Sequence, residues 1–248
     1  MNKKKVKNIL SIIVMVLLLG YVVLAAVAFC PKPADVACAG VEVRSIGRGA
    51  SQFKDNTEIL SVLRRYGLDP TGRPMNEVSC AAIEDTLSNL SLVLRCECYK
   101  SASDKVCIDV TCRTPILRVI PDGGRSFYVD REGVIVDRLP RPEYLPVATG
   151  HISKEFATHE LYELASFLKH NTFWDSQIEQ INVLEGNDVE LIPRVGDHVI
   201  RFGKAGNIKY KFAKLKTFYE KGLSQVGWDR YSAIDVSYGN QVIGVKKE

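Results

Sequence analysis

Near its start the chain carries a segment that has few folding options in water. Lys3, Lys4, Lys5 and Lys7 are followed by "NILSIIVMVLLLGYVVLAAVAFCP", residues 8 to 31, which holds no charged side chain. A helix over Ile9–Phe29 would be about 31 Å long, matching a hydrocarbon core of about 30 Å, so the run predicts a transmembrane helix at 9–29. The lysines before it, with no acidic residue until Asp35, place the tail at 1–8 in the cytoplasm and all that follows 29 on the far side. Ala26-Val27-Ala28 has the small-x-small form of a signal cleavage site. Signal h-regions run only about 7 to 15 apolar residues, however, and this run is longer, so an uncleaved anchor is expected.

Behind the anchor the chain is electrically balanced. Its net charge of +4 over 248 residues comes from the four tail lysines alone, so the exterior part has no basic surplus for nucleic acid. The seven cysteines are an odd number. Four of them, Cys96, Cys98, Cys107 and Cys112, fall in "SLVLRCECYKSASDKVCIDVTCR", which reads as two strands joined by a turn around Ser101 to Asp104. Matching the apolar faces pairs 98 with 106 and 97 with 107, a register that sets no cysteine opposite another. Packing as small core side chains is the first reading of these cysteines, and a disulfide the second. Zinc is disfavoured, because C-x-C lacks the usual ligand spacing and no histidine is near.

A stiff linker, "PKPADVACA" within 30–39, leads to a compact unit at 40–113. "GVEVRSI" alternates as a strand. "NTEILSVLRRYG" predicts a helix capped by Asn56 or Thr57, apolar at Ile59, Leu60, Leu63 and Tyr66, and stopped by Gly67. "MNEVSCAAIEDTLSNL" predicts a second, apolar at Val78, Ala82, Ile83, Leu87 and Leu90. With the cysteine hairpin the order is βααββ, a small sheet with two helices on one face.

From Pro115 onward short strands alternate with turns. "ILRVI", "SFYVD" and "VIVD" precede a helix in "SKEFATHELYELASFLKHN", capped by Ser153 with Phe156, Leu161, Leu164, Phe167 and Leu168 as its stripe. "QIEQINVL", "DVELIPRV" and "HVIRFG" follow, then a basic helix "NIKYKFAKLKTFYEKG" and two closing strands, "SAIDVSY" and "NQVIGVKK". The fold class is therefore α+β: a transmembrane helix, a βααββ domain, and a mainly antiparallel β domain with two helices at 114–248.

No catalytic residue set can be assembled. Asp197 and His198 are adjacent in "RVGDH" between two alternating runs, where Gly-Asp suits a two-residue hairpin turn and neighbouring side chains point apart. His151 lies in a loop, and His159 and His170 are too far apart along a helix to share a metal. The loop "GKAGN", 203 to 207, precedes a helix as anion sites do, but two glycines there read as a connection, and Lys204, Lys209, Lys211, Lys214 and Lys216 as a solvated face. No metal, cofactor or small-molecule substrate is expected. The end of the chain is more informative: "IDVSYGNQVIGVKKE" gives a strand, a Gly-Asn turn and a last strand with nothing after it to cover it. Open edges invite strand addition, unless Lys246 and Lys247 guard this one.

The order of parts resembles the cell division protein family FtsQ, called DivIB in Gram-positive bacteria, whose span is followed by a POTRA domain and a β domain. The resemblance is carried by "RTPILRVIPDGGRSFYVDREGVIV", "LPVATG", "VELIPRVGDHVIRFG", "KFAKLKTFY" and "IDVSYGNQVIGV". It implies a non-enzymatic scaffold of the inner membrane with its C-terminal domains in the periplasm. The partners implied are the single-span division proteins FtsB and FtsL, and the role is to link division-ring assembly to septal peptidoglycan synthesis. By position, the family's partner-binding strand falls on Gln241, Val242, Ile243, Gly244 and Val245, preceded by Tyr238, Gly239 and Asn240. Val245 stands where an aromatic can occur in the family. The POTRA-like unit would help bring the protein to the septum. The competing readings are a membrane-anchored periplasmic hydrolase using His198 or His151, and a POTRA-type chaperone in protein transport.

Overall fold

The computed structural model describes residues 3–28, 36–47 and 57–247. Pro31, Pro33 and the Asn56 cap lie outside the described residues. Helix α1 (Lys3–Ala28) covers most of the apolar run. Its described side chains are those of 12–25, nearly all exposed. Among the described residues no helix is long and apolar enough to cross a membrane, so the expected span at 9–29 rests on the sequence.

The first unit follows the expected order: β1 (Gly40–Ile46), α2 (Thr57–Arg65), α3 (Cys80–Ser88), β2 (Val93–Lys100) and β3 (Lys105–Cys112). The sheet order is β1-β3-β2, with β1 parallel to β3. Ile59 and Leu63 of α2 and Ile83 and Leu87 of α3 are buried over Val106, Ile108 and Val110. Gly67, at φ 68, ends α2 with Leu68 N–H on the Leu63 carbonyl at 2.7 Å. Tyr66, expected on the buried stripe, is 63% exposed, because the helix has ended before it.

The hairpin register differs from expectation. Cys98 pairs with Ile108 and Glu97 with Asp109, two residues along from the expected 98 with 106. The cause is the turn: Ser101 N–H bonds the Lys105 carbonyl at 2.8 Å and Asp104 takes a left-handed φ of 57, which centres the turn one residue further along the chain. A slip of two keeps every side chain on its expected face. No cysteine faces another across the hairpin.

The second unit contains β4 (Pro115–Pro121), β5 (Phe127–Asp130), β6 (Ile135–Val136), β7 (Val147–Gly150), α4 (Lys154–Thr158), α5 (Glu160–His170), α6 (Thr172–Gln177), β8 (Ile178–Val183), β9 (Val189–Pro193), β10 (Val199–Gly203), α7 (Ile208–Phe218), β11 (Tyr231–Asp235) and β12 (Ile243–Lys246). One sheet runs β12-β11-β10-β9-β8-β7-β4-β5-β6. It is more mixed than expected, since β4 with β7, β7 with β8, and β10 with β11 are parallel. The single helix expected after Ser153 is broken at His159 (φ −112, ψ −84), and α6 is an additional helix capped by Asn171. Leu161, Leu164, Leu168, Trp174, Phe212 and Leu215 cover one sheet face, burying Ile181, Leu191 and Phe202. The opposite face carries polar pairs, Gln180 Nε2 to Thr149 Oγ1 at 2.8 Å and Asn182 Nδ2 to Glu190 Oε2 at 3.3 Å.

The two units share a packed join. Val136 and Leu139 of the second belong to the buried cluster of the first, with Tyr128 against it. Arg113, between β3 and β4, donates to Asp130 Oδ2 at 2.9 Å and to Glu132 Oε2 at 3.1 Å. Asp130 is 2% exposed, and its other oxygen accepts from the N–H groups of Glu132 and Val134.

Candidate interaction edge at the terminal strand

The sheet ends at β12, which among the described strands pairs with β11 alone. Ala233 faces Val245, Ile234 faces Gly244 and Asp235 faces Ile243. The strand begins at Ile243, so Gln241 and Val242, expected within it, belong to the approach. Its apolar side chains are solvent-facing: Ile243 is 39% exposed, Val245 37%, and Tyr238, which precedes the turn, 51%. Gly244 lies over the Tyr231 ring, where an added Cβ would come within 2.5 Å of the ring carbon Cε1. Tyr231 in turn packs on Phe218 at 5.7 Å between ring centres. The backbone of β12 is thereby seated on an aromatic pair, with its outer edge unpaired among the described residues.

The approach segment is fixed from below. Lys214 Nζ donates to the carbonyls of Val236 (3.1 Å), Tyr238 and Gln241 (3.4 Å), tying the 236–241 loop to α7. Beside it a groove of about 450 Å³ is lined by Thr217, Phe218, Lys221, Asn240 and Val242. At the other end Lys247 N–H bonds the Arg230 carbonyl at 3.1 Å, and its Nζ meets Asp197 Oδ2 at 3.2 Å. Lys247 is thus engaged within the fold, while Lys246 is exposed at the edge.

Lys204, Lys209 and Lys216 are exposed as expected of a solvated face, while Lys211 and the half-buried Lys214 correct that expectation. Lys211 is 8% exposed and donates to the carbonyls of Phe202 (2.8 Å) and Lys204 (2.7 Å). It stands four residues before the buried Leu215, the spacing that puts two side chains on one helical face, and this signal was available in the sequence. The GKAGN loop and the residue before it therefore turn one carbonyl each toward a cation, the reverse of an anion cradle.

The histidines do not converge. Asp197 points outward to Lys247, while His198 is 2% exposed and its Nε2 shares a hydrogen bond of 3.0 Å with the Tyr219 hydroxyl. The connection they occupy runs from 194 to 198, longer than the expected two-residue turn, with Gly196 at φ 86. His198 packs among Tyr219 and Trp228, and burial holds its pKa below the ordinary value. His159 and His170 each bond a carbonyl of their own helical segment, Glu155 and Ser166. Among the described residues no three His, Cys, Asp or Glu side chains are placed to share a metal ion.

Comparison with known families adds to this geometry. No curated protein matches the chain. A POTRA-like domain family matches residues 36–111, spanning the βααββ unit. The family described as FtsQ/DivIB, C-terminal related, matches residues 114–245, ending on β12. The chain belongs to the FtsQ/DivIB family.

Proposed function

We propose that this chain is a non-enzymatic scaffold of the cell division machinery that receives a strand from a partner on β12. The observation that carries the reading is the open edge: an apolar, solvent-facing strand held rigidly by Tyr231 below it and by Lys214 in its approach. Backbone pairing at such an edge supplies affinity, and alternate side chains supply selectivity. Strand addition pays less ordering entropy on the side of a strand already fixed.

The same reading anchors the chain in the inner membrane through 9–29, with 1–8 cytoplasmic and the domains at 40–113 and 114–248 periplasmic. What supports it is the charge-free run itself, together with α1 side chains such as Leu17 (68% exposed) and Tyr21 (72%) on a helix apolar all round. Division proteins of the FtsB and FtsL kind, themselves single-span, are the proposed partners; tethering in one membrane raises their effective concentration at the edge. The outcome would be a link from division-ring assembly to septal wall synthesis.

The test is photo-crosslinking in growing cells, with the probe moved one residue at a time from Tyr238 to Lys247. Crosslinks to a small single-span protein, strong at alternate positions of β12, are expected. A silent strand in a protein that still reaches the septum would remove the edge as the binding site.

A further inference from the structure

We propose that Cys80 and Cys98 form a disulfide that staples α3 to β2, a modification site within the POTRA-like unit. The proposal rests on the exterior placement of that unit. Helix α3 starts at Cys80, and Ser79 caps it by accepting from the Ala82 N–H at 3.2 Å. One turn later Glu84 accepts the backbone N–H of Cys98 at 2.6 Å. Cys80 and Glu84, four residues apart, project from one helical face toward the same stretch of β2. Both side chains enter one buried cluster, Cys98 within it and Cys80 packed against it, and both are free thiols.

The thiols of the hairpin other than Cys98 are placed less well. Cys96 lies two residues from Cys98 on the same strand face, one pleat away from Cys80. Cys107 alternates with the core residues Val106 and Ile108 and so lies on the far side of the sheet, opposite Tyr99. Cys112 pairs with Val93 at the other end of the hairpin. The chemistry needs an oxidant, and a protein or small-molecule disulfide donor supplies it. Cys80, partly exposed, attacks one donor sulfur and releases the first donor thiol. Cys98 then attacks the sulfur of Cys80 and expels the second, so the two thiol protons end on the donor and two electrons reduce its disulfide. Burial raises the thiol pKa of Cys98 and pushes that of Cys96 to about 11, which makes both poor initiating nucleophiles and leaves the first attack to Cys80.

The full-length chain, purified in detergent and reduced, would be equilibrated in mixtures of oxidised and reduced glutathione, its remaining thiols alkylated, and its peptides mapped by mass. Cells quenched in acid would be mapped in the same way. A peptide pair joined through Cys80 and Cys98 is expected in both samples, with Cys107 and Cys112 alkylated. Oxidation should raise the Tm of the wild-type chain by about 10 °C, while Cys80→Ser and Cys80→Ala leave Tm unresponsive to the redox mixture. A Cys80–Cys96 link, or alkylation of both Cys80 and Cys98 in the oxidised sample, would overturn the pairing. A link in the purified chain alone, with free thiols in cells, would overturn the proposal in the cell and point to the exterior placement as the failed step.

Discussion

Lys211 and His198 are buried groups of the second unit whose charge depends on their surroundings. Burial lowers the pKa of Lys211, with Lys214 adding to the effect and the carboxylates of Asp188 and Asp235 opposing it, while the ammonium donates to the carbonyls of Phe202 and Lys204. Lys211→Met keeps the stem and removes the donor, leaving two inward-facing carbonyls short of a partner. It should cost about 1–3 kcal/mol, read as a lower urea midpoint at unchanged slope. For His198, burial first and Lys247 second hold the folded pKa below 6.5, against the pull of Asp197. The unfolded chain therefore takes up this proton at a higher pH than the folded one. Stability should fall as pH drops below about 6.5 until the folded pKa is reached, with no contribution from this group above that window. Urea midpoints at about pH 7.5 and about pH 5.5 should diverge in the wild type and converge in His198→Gln; equal divergence in both would assign the effect to other groups.

At the scale of elements, β12 depends on one missing side chain. Gly244→Val would drive its Cβ into Tyr231, whose ring is itself held against Phe218. The strand must then lift from β11, and the variant should lose about 1–3 kcal/mol together with partner crosslinking. Ile243→Glu is the complementary change: it touches an exposed position, should leave the urea midpoint within about 0.5 kcal/mol of wild type, and should weaken binding alone. These elements differ in how plainly the sequence announced them. The βααββ order and the cap Ser153 are read from local chemistry, since a cap is a contact between neighbours, whereas the cap Ser79, which starts α3 at Cys80, is not. Strand β7 could not, because its four residues are held by parallel partners on both sides, β4 and β8, which only the tertiary fold supplies. The break at His159 was hidden by an apolar stripe that continues across it, from Phe156 to Leu161. Of the candidate edge, Ile243 to Val245 was legible as a final alternating run, whereas the Lys214 anchor joins residues 22 to 27 apart and has no local signature.

Over the whole molecule, a scaffold that couples events at two domains needs those domains to move together. The join described here has two parts of different character. Val136 and Leu139 extend the first unit's apolar cluster with side chains from the second, and Arg113 bridges the connection to a carboxylate, Asp130, that water hardly reaches. Breaking such a pair leaves a buried charge with one partner fewer, a larger penalty than any exposed bridge carries. Removing the apolar contacts, by contrast, strands no buried charge and weakens the cluster that the two units share. Calorimetry of the wild-type chain should therefore show one cooperative transition. The double variant Val136→Ala, Leu139→Ala should split it in two, and Arg113→Ala added to that variant should lower the melting of the second unit more than that of the first, because Asp130 organises the β5–β6 turn through Glu132 and Val134. Two transitions already present in the wild type would show that the units hinge freely, and strand capture at β12 would then have no mechanical route to the POTRA-like unit.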